Sequence, residues 1–389
     1  MGDSVAEPGN DTRPGGRPTT GPDVSVCIVT YRRPEALSRL LDHLNRVRGL
    51  DGMVREIIVV DNDSALTAHE TVEAFRGRLP RLLYDREPRR NIAHARNRAI
   101  SRARGDWIAF IDDDEVPDED WLLAYGTMRS KSPADGYFGP VWARTESPCP
   151  DWLDPRLFLD RMTFPDGAVV DATWTRTANA FVRRSLFATH RFDPAFGITG
   201  GSDVELFTRM CESGVRFLFC ERAETFEYFP ASRLSVRWLL QRSYRGGWVA
   251  GRLSRRGRPG VLPRLFRVGR GFAKAGVFVA MLPLEALDGR RRVVYRLRLL
   301  AHQLGNVWEA VGRSYEEYAR PTIESVSRAG TAAPRDEARR RSLATRIRRL
   351  YRALRGVRNR AARLRSKVSH YGRAQYCTVC GSHVRAFLP

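Results

Sequence analysis

Between Trp107 and Trp121 the chain reads W-I-A-F-I-D-D-D-E-V-P-D-E-D-W, an apolar run that ends in three consecutive carboxylates, Asp112, Asp113 and Asp114. Adjacent ionised carboxylates at the end of a buried strand repel one another and resist desolvation unless a cation or hydrogen-bond donors meet them. Hard oxygen ligands of this kind suit Mg²⁺ or Mn²⁺ shared with phosphate oxygens, and do not suit Zn²⁺ in a thiolate cage. The pattern points to a metal site at a strand tip, with an acidic surface loop as the plainer alternative.

The elements that must hold this tip can be read from periodicity. Val24 to Thr30 (V-S-V-C-I-V-T) is a β-branched run, followed by a loop at Tyr31 to Pro34 and then Leu37, Leu40, Leu41 and Leu44 at helical spacing. Glu56 to Val60 repeats the strand signal and ends in Asp61-Asn62-Asp63-Ser64, before a helical stretch to about Gly77. Leu82 to Tyr84 reads as a third strand, Ile92 to Arg104 as a helix with small residues on one face, and Trp107 to Ile111 as the fourth strand. Alternation of this sort predicts an α/β fold with parallel strands joined by right-handed crossovers and ligands at their carboxyl ends. Thr30 and Tyr31, Asp61, and Asp112 to Asp114 all fall at those ends. Pro133 to Pro165 reads as long loops and irregular strands, Ala178 to Val182 as a further regular segment, and Gly197 to Gly214 as a glycine loop feeding a helix. Residues 234–320 read as helical, with arginine-rich faces.

Bulk properties narrow the partners. The chain has 389 residues, is 42% hydrophobic and carries a formal charge of +22, with a pI near 10.7. Such a charge implies an anionic partner, whether nucleic acid, lipid or a phosphate-bearing substrate. Arginine accumulates after about residue 230, so the basic character belongs mostly to the C-terminal part. Six scattered cysteines do not indicate a disulfide framework. Residues 1–23 lack the charged start and apolar middle of a signal peptide and read as a flexible tail on a cytoplasmic protein. The longest membrane candidate, Phe272 to Leu287, is too short to span, contains Lys274 and Glu285 and is expected to be broken by Pro283. Dipping into a membrane surface is its expected limit.

The ordered blocks V-S-V-C-I-V-T-Y-R-R-P, I-I-V-V-D-N-D-S, N-I-A-H-A-R-N-R-A-I, F-I-D-D-D-E-V-P-D-E-D-W-L, T-A-N-A-F-V-R-R-S-L-F and G-G-S-D-V-E-L-F-T-R-M resemble an inverting family 2 glycosyltransferase with a GT-A fold. They are most similar to the branch that builds bacterial exopolysaccharides of the succinoglycan type, and the resemblance spans roughly Val24 to Gly251. It implies a nucleoside-diphosphate sugar donor, a lipid-linked or polysaccharide acceptor, and a divalent cation bridging the oxygens of the departing diphosphate.

By that resemblance Asp112 and Asp114 form the D-x-D pair, Asp114 as metal ligand and Asp112 nearer the ribose and metal-bound water, with Asp113 pointing the other way along the pleat. Asp61 resembles the residue that accepts a hydrogen bond from the base, though its local sequence equally suits a turn former. Thr30, Tyr31 and Arg33 would line the nucleotide pocket and Arg96 would face the pyrophosphate. Asp203 matches the family's general base, with a helix N-cap as the plainer role, and Ser202 stands where the family carries glutamate. Glu205 and Glu227 are weaker candidates, and Arg233 and Arg245 would close over the phosphates or serve as solvated or lipid-facing residues.

Beyond a polar linker at 321–334, residues 335–373 carry Leu343, Ile347, Leu350, Leu354, Val357, Ala361, Leu364 and Val368 at alternating steps of four and three, with arginine elsewhere and scarcely an acid. Self-pairing would oppose arginines, which favours a helix on anionic lipid or an acidic partner, or one docked on its own catalytic domain. Residues 374–389 contain Cys377-x-x-Cys380 with His383, one half of a zinc ribbon at most. This knuckle resembles the lead-in to some S-adenosylmethionine-dependent methyltransferases, so Zn²⁺ there and a bifunctional parent are alternatives to a lone metal-free pair. The expected organisation is a GT-A domain at 24–250, a helical and membrane-associated region at 251–320, then linker, helix and knuckle. The competing reading is a non-catalytic GT-A scaffold that binds nucleic acid or membrane. Carboxylates at strand tips argue against it, and nucleic acid is not the expected partner.

Overall fold

A computed structural model describes residues 23–312 except 258 and 259. The arginine-rich helix and the Cys377/Cys380 knuckle expected from the sequence lie outside the described residues.

The continuous apolar runs become strands buried on both faces. Strand β1 (Val24–Thr30) and strand β2 (Val54–Asp61) are almost wholly inaccessible along their lengths. They flank helix α1 (Pro34–Leu44), whose Leu37, Leu40, Leu41 and Leu44 are the buried stripe that the sequence spacing predicts, and the short α2 (Leu50–Met53). Helix α3 (His69–Phe75), strand β3 (Leu82–Arg86), helix α4 (Ile92–Arg102) and strand β4 (Trp107–Phe110) follow. Helix α4 buries Ala93, Ala95 and Ala99, and Asn91 caps it by accepting from the amides of Ala93 and His94. Next come β5 (Glu115–Pro117), α5 (Trp121–Lys131), β6 (Gly136–Phe138), β7 (Val141–Thr145), α6 (Pro155–Phe158) and β8 (Ala180–Arg183). The order closes with α7 (Ser202–Glu212), β9 (Phe217–Phe219), β10 (Thr225–Phe229), α8 (Val236–Gly257), α9 (Val261–Leu287) and α10 (Arg290–Ala310).

The central sheet has seven strands in the order β3-β2-β1-β4-β8-β6-β9. Strand β1 is parallel to both β2 and β4, and β2 is parallel to β3, with Thr30 beside Asp61 in register. The carboxyl ends of these strands therefore share one edge. Alternate residues feed two cores: Val24, Val26 and Ile28 join the leucines of α1, whereas Cys27, Ile58 and Val60 join the alanines of α4. This mixed, parallel-rich sheet between helical layers is the GT-A architecture.

Its second half departs from simple alternation. Strand β8 runs antiparallel to β4 and β6, and β9 is parallel to β6. A further sheet, β5-β10-β7, carries Glu115 and Glu227 side by side. Strands of three residues are too short to establish a period of two, so the sequence offers no pattern for them. Asn179 joins the two sheets. It is fully buried at φ 53°; its Oδ1 accepts from Trp121 Nε1 (2.7 Å) and Tyr125 Oη (2.6 Å), and its Nδ2 donates to the carbonyls of Pro140 (2.8 Å) and Ala223 (2.6 Å).

Helix α8 crosses the boundary expected at residue 250 without a break. It packs on α10, where a Cβ at Gly305 would lie 2.0 Å from the Tyr244 carbonyl oxygen, so the helices meet backbone to backbone. Pro283 does not break its segment: α9 runs through it. Proline removes one donor and displaces one carbonyl, and both Pro283 and Val279, which carries that carbonyl, are exposed on the outer face. Among the described residues no helix is long and apolar enough to cross a membrane.

Candidate active site

The strand ends bring together most of the residues singled out above. After β4 the chain turns so that Asp113 and Asp114 meet the loop following β1. Asp113 is nearly buried, accepting from Thr30 Oγ1 (2.8 Å) and from Arg33 Nη1 (2.9 Å). The same Arg33 nitrogen reaches Asp114 Oδ2 (3.1 Å), which also accepts from Arg233 Nη1 (3.0 Å). Both arginines address Oδ2. Asp113 therefore does not point away from Asp114 as expected, because one Arg33 nitrogen holds both. Asp112 lies beside Arg96, whose Nη2 is 3.7 Å from its Oδ1, with 37% of its side chain accessible.

Electrostatics separate the three acids. Asp112 is raised to about 6, first by desolvation in the cleft and then by the charges of Asp114 and Asp113, against Arg96. Burial also pushes Asp114 up, but Arg33 and Arg233 prevail and hold it down at about 2. Beneath them Arg161 Nη2 donates to Glu227 Oε2 (2.8 Å) and Glu115 Oε1 (3.3 Å). Glu115 is fully buried, its Oε2 has no partner, and desolvation with the nearby Asp112 charge raises it well above the usual carboxylate range.

The glycine loop enters from the opposite side. Gly201 sits at φ 83° as the N-cap of α7, and a Cβ there would come within 2.3 Å of Val249 in α8. Asp203 is thus the second residue of the helix and not its cap, a correction to the plainer role considered for it. Its Oδ1 accepts from the Val204 amide (2.9 Å). Burial would raise Asp203, yet Arg96 and Arg176 keep it below its ordinary value, so it is ionised at neutral pH. Ser202 Oγ accepts from Arg96 Nη1 (3.0 Å). At this position, where the resembled family carries glutamate, the uncharged hydroxyl of Ser202 accepts a charge-assisted hydrogen bond from Arg96.

Other residues fall differently. Asp61 has no accessible surface; its Oδ1 accepts from the Asp63 amide (2.9 Å), and its Oδ2 from the Ala68 amide (2.9 Å) and Tyr84 Oη (3.1 Å). These bonds make it an organiser of the loop after β2. Tyr31 lies under the guanidinium groups of Arg32 and Arg90, each 5.1 Å from its ring centroid. Glu205 is buried and bonded to Arg209 (2.7 Å), so it takes a structural place in α7. Arg245 lies against Gly200. Sequence reasoning passed over Arg161, Arg176 and Glu115, because an arginine in an irregular loop and an acid inside a strand carry no spacing signal.

Among the described residues no three His, Cys, Asp or Glu side chains are grouped to enclose a metal by themselves. The carboxylates of Asp112 and Asp114 are of the donor type that suits Mg²⁺ or Mn²⁺, which take one or two carboxylates and complete their shells with substrate phosphate and water.

Residues 25–188 match the model for glycosyl transferase family 2. The chain is 32% identical over 283 residues to the succinoglycan biosynthesis protein ExoM of Rhizobium meliloti (strain 1021), covering 72% of this chain and 90% of that protein. The chain belongs to glycosyltransferase family 2. This glycosyltransferase is also similar to the uncharacterized glycosyltransferase YfnE of Bacillus subtilis (strain 168), at 33% identity over 101 residues, 26% of this chain and 25% of that protein. Solved structures similar to it include S. aureus TarS 1-349 in complex with UDP-GlcNAc, at 14% identity and TM-score 0.44 over 76% of this chain and 93% of that chain. The mannosyltransferase PcManGT from Pyrobaculum calidifontis, in complex with GDP-Man and Mn²⁺, is 17% identical, with TM-score 0.45 over 88% of this chain and 85% of that chain.

Proposed function

We propose that this family 2 glycosyltransferase transfers a sugar from a nucleoside-diphosphate donor to a glycan or lipid-linked acceptor, with inversion, by a single displacement. The observation that carries the reading is Arg96, which reaches Asp112 on one side and Ser202, next to Asp203, on the other. One guanidinium thereby links the acid cluster at the strand tip to the start of α7, and its planar fork suits phosphate oxygens.

Asp203, ionised through Arg96 and Arg176, takes the proton of the acceptor hydroxyl as that oxygen attacks the anomeric carbon. Asp112 and Asp114 would hold Mg²⁺ or Mn²⁺, which when bound would supply Lewis-acid neutralisation of the departing diphosphate. Arg96, and Arg33 and Arg233 after exchanging their carboxylate partner for phosphate, add fixed positive charge at the leaving group. Thr30, Tyr31, Arg33 and Asp61 belong to the nucleotide end, with Asp61 acting through the loop it organises. Asp113 positions Thr30 and Arg33.

The likeness to ExoM supports a place in exopolysaccharide assembly. The charge of +22 supports work at an anionic membrane surface, on the cytoplasmic face where sugar nucleotides are made. Calorimetric titration of a sugar-nucleotide panel in the presence of Mn²⁺ tests the reading: one donor binds to the wild type and not to Asp114→Ala. Binding of no donor overturns it. The anomeric configuration of the product, by NMR, tests inversion.

A further inference from the structure

Helix α9 is built inside out. Its 27 residues make a rod about 40 Å long. Its charged Arg267, Lys274 and Glu285 lie on the partly buried side, where Arg267 donates to the Gly251 carbonyl (2.5 Å) and Glu285 pairs with Arg296. The outward positions are apolar or glycine except Arg264 and Arg270. Leu262 is 80% exposed and Phe266 72%, and Leu265, Phe272, Val277 and Leu284 are each more than half exposed. At 100° per residue these six side chains fall on one side of the helix, a contiguous apolar strip far larger than scattered surface leucines make.

A basic cavity of about 560 Å³ opens where α9 begins. Arg252, Arg255, Arg264 and Arg267 line it against Asp193. Glu309 pairs with Arg255 (3.4 Å) and Arg267 (3.7 Å), so four arginines face two carboxylates. The cavity adjoins the catalytic loop: Arg252 Nη1 donates to Thr199 Oγ1 (3.1 Å), in the segment leading to Gly201 and Asp203.

Charge selects the occupant of this strip. A second copy of the chain carries the same +22, and the residues 335–373 carry arginine with scarcely an acid, so both would bring like charge to a basic rim. An anionic bilayer meets both features, with acyl chains against the apolar strip and headgroup phosphate at the arginines. We infer that the outward face of α9 lies in the surface of an anionic membrane, with the arginine cavity at its N-terminal end receiving a lipid phosphate. This rests on the membrane reading proposed above and assigns it to a particular face. The helix lies on the bilayer and does not cross it, and the glycine loop is thereby held close to lipid-borne acceptors.

The test is co-sedimentation of the full chain with vesicles of phosphatidylcholine alone and of phosphatidylcholine with phosphatidylglycerol. Wild type is expected to pellet at least tenfold better with the anionic vesicles. The variant L262S/F266S/F272S should lose tenfold or more of that partitioning, while its thermal unfolding and its Mn²⁺-dependent donor binding stay at wild-type values. Arg255→Ser, at a half-exposed position, should narrow the preference for anionic over neutral vesicles severalfold. If the triple variant pellets like wild type, the inference is overturned and membrane work through another surface stands. If wild type pellets with neither vesicle, both the inference and the membrane reading are overturned.

Discussion

The guanidinium of Arg96 stands 3.7 Å from the Asp112 carboxylate while donating to Ser202, so one side chain of α4 spans the two halves of the site. Its charge acts on Asp112 and on Asp203 alike. Removing one member of this set should therefore have different effects on donor affinity and on turnover.

Asp203→Asn keeps the shape of the helix start and removes the base. Donor binding should change less than threefold, while kcat falls by about a hundredfold or more, the usual scale for losing a positioned base. Calorimetry beside steady-state kinetics separates the two, and unchanged kcat would exclude Asp203 as the base.

Asp114→Ala leaves Arg33 and Arg233 facing the donor without their shared carboxylate. Metal-dependent donor affinity should fall at least tenfold, and adding EDTA should reduce wild-type binding to the variant's level. A variant that binds donor and Mn²⁺ as tightly as wild type would remove Asp114 from the metal site.

Ser202→Ala should loosen Arg96 and leave Asp203 in place. The expected result is a rise in donor KM of about tenfold or more, with kcat reduced by less than tenfold, because a hydrogen bond to a charged group contributes about 1.5–3 kcal/mol. A collapse of kcat with KM unchanged would place Ser202 in the chemical step.

His302 lies between α8 and Lys274 and Arg298, and burial followed by those two charges lowers its pKa below 6.5. The unfolded chain then binds more protons than the native one just below pH 6.5, so stability rises with pH and is lost as pH falls through that value. Thermal unfolding should show wild type losing more Tm between pH 7.5 and 5.5 than His302→Gln. Equal losses would count against the assignment.

Asn179→Ala removes the side-chain partner of Trp121 Nε1 and of the Ala223 carbonyl, whereas Tyr125 Oη keeps the Asn179 main-chain carbonyl (3.0 Å) and the Pro140 carbonyl keeps the Thr225 amide (3.1 Å). Destabilisation of about 2–4 kcal/mol is expected by urea unfolding, since buried groups stripped of partners each cost about 1–3 kcal/mol. A loss under 1 kcal/mol would mean that water replaces the amide.

The primary sequence alone determined the first four strands, their helices and the acid cluster. Burial on two faces demands continuous apolar runs, and one-sided helices demand leucine at steps of three and four, so these elements are written in local order. It also carried the ordered blocks by which the family is recognised. What Asp61 touches, that Gly201 and not Asp203 caps α7, that Ser202 holds Arg96, and that Glu115, Glu227 and Arg161 form a buried group were decided only by tertiary structure. Each depends on contacts between residues far apart in the chain, often from strands of three residues or loops without any period. The orientation of α9 was likewise invisible in its composition, because which side of a helix meets the protein and which is left outside is settled by packing against its neighbours.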